Sequence, residues 1–148
     1  MKFRLQQFGI VLMAISIGFV VVSCSGDKVS QCAGMIKIVN QAVTETKTIT
    51  ADGTNGGIPI IEKLVGIFEK AANDMESVNV ADEKLKPFKS QFVTMYKNAT
   101  SNNKELVISI KEKKLTKVNE GLKKSGDIFS PEQDLTKSLT EYCKVPKK

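Results

Sequence analysis

Apolar side chains recur three and four positions apart from residue 28 to residue 143, and no segment alternates apolar and polar residues as a half-buried strand does. In 28–50 one helical face would carry Val29, Cys32, Ile36, Val39 and Val43. Turn-forming residues fill 51–59, and the spacing resumes over 58–77 with Ile61, Leu64, Phe68, Ala71 and Met75. These stretches predict two amphipathic helices joined by a loop, with Pro59 in the first turn of the second.

A third helix is predicted over 82–113, with Asp82 as its N-cap and Pro87 near its start. A later start, at Leu85, is an open alternative. Two asparagines, Asn102 and Asn103, interrupt the apolar face of this helix. The remainder of that face consists of Leu85, Phe88, Phe92, Met95, Ala99, Leu106 and Ile110.

The last apolar stripe, 115–143, is divided by a polar stretch at 125–130. Ser130, Pro131 and Gln133 have the arrangement of a capping box, so a new helix is predicted to begin there. We expect Ile128 and Phe129 to be buried at this bend. The four stripes together predict an all-α fold, an antiparallel up-down-up-down four-helix bundle whose fourth arm is broken into two short helices.

The first 24 residues follow a different pattern. Lys2 and Arg4 precede an apolar run over 8–22, and no acidic residue occurs before Asp27. A basic start followed by about fifteen apolar residues is typical of a secretory signal, and it is shorter than the roughly 20 residues of a membrane-spanning helix. A retained transmembrane anchor is the alternative.

The end of that run, Val21, Val22, Ser23 and Cys24, resembles the lipobox of bacterial lipoproteins. The resemblance implies cleavage after Ser23 and a diacylglyceryl thioether on Cys24. The chain would then consist of a signal peptide (1–23), a lipidated anchor and linker (24–27), a helical-bundle domain (28–144) and a basic tail (145–148). Its expected location is exported and tethered by lipid to a membrane, on a periplasmic, outer-membrane or lumenal face.

Lipid on Cys24 leaves two other cysteines, Cys32 and Cys143. In an oxidising compartment, a pair of thiols in a chain without histidine favours a disulfide over a metal site. Two separate buried thiols are the alternative. An even number of antiparallel helices returns the chain to the end where it began, so a four-arm bundle would bring the two cysteines together.

The charge pattern argues against nucleic acid as a partner. From Cys24 onward the chain has twenty lysines, no arginine and sixteen acidic residues, a net charge of +4. Arginine is the residue of bidentate phosphate and base recognition, whereas lysine is a hydrated point charge. The lysines are therefore interpreted as a solvated surface, with weak attraction to anionic lipid headgroups as the alternative.

Residue types needed for common catalytic mechanisms are missing. The chain has no histidine, which excludes Ser-His-Asp and Cys-His nucleophiles and the Glu-x-x-His pairs of di-iron bundles. The acidic residues lie among lysines and are interpreted as solvent-exposed charge. We therefore predict that the protein is not an enzyme and that it binds no cofactor and no metal.

The body also resembles small uncharacterised helical lipoproteins of cyanobacteria, through its early cysteine, its four helical arms and its closing Glu141, Tyr142 and Cys143. Accessory lipoproteins of photosystem II share the architecture and the anchor without a matching residue signature. The resulting hypothesis is a non-catalytic interaction or accessory protein, whose protein partner binds the end of the bundle away from the anchor. The alternative is a carrier of a small apolar ligand held in the bundle interior along Phe68, Phe88, Phe92 and Met95.

Overall fold

A computed structural model describes residues 26–51 and 57–144, which contain five helices and no strand. The helices are α1 (Gly26–Ala51), α2 (Ile58–Ser77), α3 (Lys86–Lys111), α4 (Leu115–Phe129) and α5 (Glu132–Cys143). The last two form one arm with a bend of 18°. The predicted all-α fold with four arms, the last in two pieces, is confirmed.

The helices pack in chain order around the bundle. The hairpin of α2 and α3 has the most extensive interface, α4 packs on α3, and α1 packs on α2 and on α5. No comparable interface joins α1 to α4. We call the end that contains the start of α1 and the end of α5 the base, and the opposite end the distal end.

The core is densest toward the base. Met35, Met75, Leu85, Phe92 and Leu139 are all fully buried, and they come from every arm. Toward the distal end the core becomes thinner, because α1 contributes no buried apolar residue after Ala42 and α4 buries none at all. Burial of apolar surface is the main stabilising term, so most of the stability of the bundle comes from its base.

The start of α3 differs from the prediction. Asp82 is not its N-cap: the helix begins at Lys86, and Leu85 holds the cap position without a side-chain cap bond. The Asp82 carboxylate accepts a hydrogen bond from the backbone N–H of Lys84 instead, at 2.8 Å, and so closes a local turn. Full burial of Leu85 and the fixed backbone of Pro87 favour the later start that the sequence had left open.

The predicted capping box is also wrong. Ser130 has helical backbone angles, and its hydroxyl donates backward to the carbonyl of Asp127 at 3.1 Å rather than forward into α5. The chain therefore remains helical up to Phe129, and the break is confined to Ser130 and Pro131. Ile128 and Phe129 are half-buried at this joint, and the Phe129 ring lies 5.0 Å from that of Phe68.

The polar interruption in α3 is a helix-packing contact. Asn102 is 1 % exposed, and its amide Nδ2 donates to the carbonyl of Gly121 at 2.9 Å and to the Ser125 hydroxyl at 2.8 Å. This pair of bonds connects α3 to the middle of α4, at a level where apolar packing is thin. Gly121 allows the close approach: a Cβ there would lie 2.6 Å from Cδ2 of Leu106.

We predict that Gly121→Ala destabilises the protein by about 1 to 3 kcal/mol, because Leu106 is buried and has little room to move aside. Urea unfolding followed by circular dichroism would measure the change. Gly126→Ala is the matched control on the same helix, since a Cβ there meets nothing within 4 Å. The control should gain up to about 1 kcal/mol from helix propensity. Equal effects of the two substitutions would contradict the close α3–α4 contact.

Candidate functional site

The base of the bundle is closed covalently. Cys32, one turn and a half into α1, and Cys143, the last residue of α5, have Sγ atoms 2.07 Å apart and Cα atoms 5.8 Å apart. The predicted pair therefore lies at disulfide distance. Because the loop between the two cysteines spans 111 residues, the bond joins the two ends of nearly the whole described chain.

Polar contacts reinforce this closure on the side of the α2–α3 connection. The side-chain carbonyl of Gln31, 6 % exposed, accepts hydrogen bonds from the backbone N–H groups of Ala81 and Asp82 at 2.8 and 3.1 Å. The hydroxyl of Tyr142 donates to the Asp82 carboxylate at 2.8 Å. Three segments distant in sequence therefore meet around Ala81 and Asp82: the start of α1, the α2–α3 connection and the end of α5.

The electrostatics of this cluster favour an ionised Asp82. The Tyr142 hydroxyl that donates to Asp82 lowers the pKa of this carboxyl, and Lys28 contributes in the same direction. The same hydrogen bond raises the pKa of Tyr142. The Lys28 ammonium lies 3.8 Å from the centre of the Tyr142 ring, a cation–π contact. The arrangement connects both ends of the chain to the α2–α3 connection.

A second unusual carboxyl lies at the start of α5. The sequence had been interpreted as carrying only solvent-exposed acids, and Glu132 is the exception: it is partly buried, and burial raises its pKa to about 7. Burial is the main reason that the pKa of the Tyr96 phenol is raised, and the charge of Glu132 raises it further. The Tyr96 hydroxyl is buried without a hydrogen-bond partner. Spacing with Ile128, Leu135 and Leu139 places Glu132 on the apolar stripe, which is the sequence signal that had been missed.

The aromatic stripes proposed to line a ligand cavity are part of the core. Phe68 and Phe92 are 5 % and 0 % exposed, and both rings lie 6.2 Å from that of Tyr96. Met95 is buried beside them, and the half-buried Phe88 stacks on Tyr142 at 6.3 Å. These four side chains pack against protein atoms, which is the role that apolar residues at helical spacing commonly have.

The distal half carries the exposed apolar surface. Among the described residues, the exposed large apolar side chains are Ile108, Leu115 and Leu122, at 55 %, 68 % and 39 %. All three lie on the second half of α3 or the first half of α4. At this level α1 has no interface with α4 comparable to the interfaces that it forms with α2 and α5.

An open groove of about 450 Å³ also lies in the distal half, between α1 and α2. Ile49 and Ile67 supply apolar surface there, and Lys63 and Lys70 lie along one side. The ammonium of Lys70 pairs with Asp74 at 2.5 Å, and the hydroxyl of Thr48 donates to the carbonyl of Thr44 at 2.9 Å. Several polar groups at this groove therefore already have partners within the protein.

The residues predicted to be processed lie outside the part of the chain that the structure describes. Val21, Val22 and Ser23, the proposed cleavage site, and Cys24, the proposed lipidation site, all precede Gly26, the first described residue. Within residues 26–51 and 57–144, no helix has the length and apolarity required to cross a bilayer. The same ranges contain no group of three or more residues that could hold a metal ion.

Comparisons with family models, with curated proteins and with solved structures give no match for this chain.

We predict that removing the disulfide, with Cys32→Ala and Cys143→Ala together, lowers the free energy of unfolding by about 2 to 5 kcal/mol, because it frees a long loop in the unfolded chain. Denaturant unfolding of the oxidised protein and of the double variant measures this loss. Chemical reduction of the parent protein should produce a similar loss, whereas Cys24→Ala should leave stability unchanged. A thiol titration that finds both Cys32 and Cys143 free in the oxidised, unfolded protein would contradict the pairing.

We predict that Glu132 makes stability depend on pH between about 4.5 and 7. A carboxyl whose folded-state pKa is raised stabilises the fold fully below its unfolded pKa, and this contribution is lost as the pH rises through 7. Glu132→Gln should therefore remove a loss on the order of 1 to 3 kcal/mol between pH 4.5 and pH 7.5.

Urea unfolding at several pH values provides the measurement. Asp134→Asn, an exposed acid in the same first turn of α5, is the control and should leave the pH profile as it is. Identical profiles for the parent protein and Glu132→Gln would show that Glu132 is solvated.

Proposed function

We propose that this protein is a lipid-anchored, non-catalytic helical bundle that binds another protein of the cell envelope or thylakoid lumen through its distal end. The observation that carries the proposal is the difference between the two ends of the bundle. In the sequence, the proposed lipidation residue comes two positions before α1, whose start belongs to the closed base, and the exposed large apolar side chains of the described residues lie in the distal half.

The cysteines support the anchored part of the proposal. Cys32 and Cys143 are paired with each other, so Cys24 keeps its sulfur for another bond. Disulfides persist in exported proteins, and lipidation of lipoproteins takes place on export, so the two modifications fit the same compartment. Cys24 is two residues before Gly26, where α1 begins, so the lipid would hold the base close to the membrane.

The distribution of packing supports the binding part. The base combines the densest core with the disulfide and the Gln31, Asp82 and Tyr142 contacts. A base with these bonds is suited to hold the anchored bundle in a fixed orientation. Exposed apolar side chains at the other end are suited to bind a partner, because burying them removes apolar area from water.

The anchor is tested by acyl labelling of the full chain in a bacterial host that processes lipoproteins. We expect palmitate to be incorporated, and the protein to remain with membranes after a high-salt wash. Cys24→Ala should abolish both properties, while Ser25→Ala, the neighbouring control, should keep them. Labelling that survives Cys24→Ala would overturn the anchor.

Native mass spectrometry of the purified, acylated protein distinguishes a protein-binding function from a carrier of a small apolar ligand. An interaction protein should show the mass of the chain and its acyl group alone. An additional apolar ligand that remains bound would support the carrier alternative instead, and it would count against the present proposal.

A further inference from the structure

The connection between α3 and α4, residues 111–117, has an unusual composition, and we call it the α3–α4 tip. All seven of its residues are exposed. Four are lysines and one is glutamate, and the sole large apolar side chain among them, Leu115, is 68 % exposed. The tip is therefore a basic surface with an apolar centre.

The backbone at the tip adopts a conformation that closes α3 but that disfavours a lysine. Lys113 has a φ of 57°, in the left-handed region where glycine is favoured. The next amide, that of Lys114, donates to the carbonyl of Ser109 at 2.9 Å, which closes the end of α3. Glycine would form the same turn without strain, so the lysine side chain adds nothing to this closure.

The charges of the tip also oppose the helix that follows it. The first turn of α4 contains no acidic residue, and no side chain caps its N-terminus. Lysines near the positive end of a helix dipole are unfavourable. Lys111 pairs with Glu62 and Lys114 with Glu112. Lys113 and Lys117 form no direct ion pair within the described ranges, although the charge of Lys117 helps to lower the pKa of Glu112.

Apolar exposure occurs at the same place. Within residues 26–51 and 57–144, Leu115 is the most exposed large apolar side chain, and Ile108, 55 % exposed, lies one helical turn before the tip on α3. Strain, unpaired charge and exposed leucine thus coincide within seven residues. Residues and backbone conformations that lower local stability are commonly found where a chain serves a function.

We propose that the α3–α4 tip is the docking surface for an acidic segment of a partner protein, whose carboxylates pair with Lys113 and Lys117 while an apolar side chain covers Leu115. The inference rests on the proposed partner-binding function and names the chemistry of the partner. The lysines of the tip favour an acidic segment by charge complementarity. The exposed Leu115 favours a segment that carries an apolar residue between its acidic residues.

A protein fits this surface better than the anchoring membrane does. A helix of 26 residues, such as α3, is about 39 Å long, so the tip lies far from the base where the lipid would be attached. Charges are screened over about 8 Å at physiological ionic strength, so the lipid headgroups around the anchor exert little attraction on the tip. A partner that extends above the membrane can reach it.

The test uses the full chain reconstituted in phosphatidylcholine nanodiscs and two probes: a random copolymer of glutamate and leucine, and vesicles that contain phosphatidylglycerol. We expect the copolymer to shift the amide resonances of residues 108–118 and to bind less tightly at higher salt. Lys113→Glu with Lys117→Glu should weaken this binding about tenfold or more. Leu115→Ser should weaken it without unfolding the protein, since that side chain is already exposed.

Matched variants identify the surface. Lys84→Glu with Lys137→Glu changes the net charge equally at exposed lysines outside the tip, and this double variant should bind as the parent does. Resonance shifts spread over all lysine-bearing surfaces would overturn the proposal. So would a preference of the tip for phosphatidylglycerol vesicles over the copolymer, which would identify a membrane-docking site.

Lys113→Gly separates binding from stability. It should raise the midpoint of thermal unfolding, because glycine relieves the strained φ, and should weaken copolymer binding, because a charge is lost. A variant that is more stable and binds equally well would show that Lys113 has no docking role. Copolymer binding is also measured on Cys24→Ala protein in solution without nanodiscs, so a failed acyl-labelling experiment and a failed tip experiment can be distinguished.

Discussion

The constraint on which this structure depends is the closure of the chain at the base of the bundle. The disulfide between Cys32 and Cys143 requires the start of α1 and the end of α5 to lie within a few ångströms, and with full-length arms this requirement is met by an even number of antiparallel passes. Gln31 and Tyr142, each next to one of the cysteines, reach the same α2–α3 connection through backbone N–H groups and the Asp82 carboxylate. One covalent bond and three hydrogen bonds thus define where the arms meet.

Packing follows from that closure and is unequal along the bundle. Near the base, every arm contributes a fully buried side chain, whereas toward the distal end α1 no longer contributes buried apolar residues and α4 buries none. The distal connection of α3 to α4 relies on the Asn102 hydrogen bonds and on the close approach allowed by Gly121. Polar bonds between helices contribute less net free energy than a packed apolar layer, but they specify one register. A firm base and a thinly packed distal end suit a protein that is held at one end and binds at the other.

Two sites in the structure oppose local stability. Glu132 is placed on the apolar face of α5, where burial favours its neutral form, and the α3–α4 tip combines a left-handed lysine, an uncapped helix start and an exposed leucine. The first couples folding to pH through the free energy of burying a charge. The second leaves the Leu115 side chain exposed and the Lys113 ammonium without a direct ion pair within the described residues. Both of these unfavourable sites lie next to an end of α4, the helix that has no buried residue.

The sequence by itself determined the fold class, the number of arms, the limits of α2 and the cysteine pair, because helical periodicity and an even number of passes are properties that spacing alone expresses. It was wrong about Asp82 and Ser130, whose side chains are able to cap a helix but form other bonds once Leu85 is buried and the α4–α5 joint stays helical. It also did not distinguish Glu132 from exposed acids, or Leu115 from a buried residue of the stripe. Burial depends on which neighbouring helix covers a face, and that was decided only when α1 packed on α2 and α5 and left the distal part of α4 uncovered.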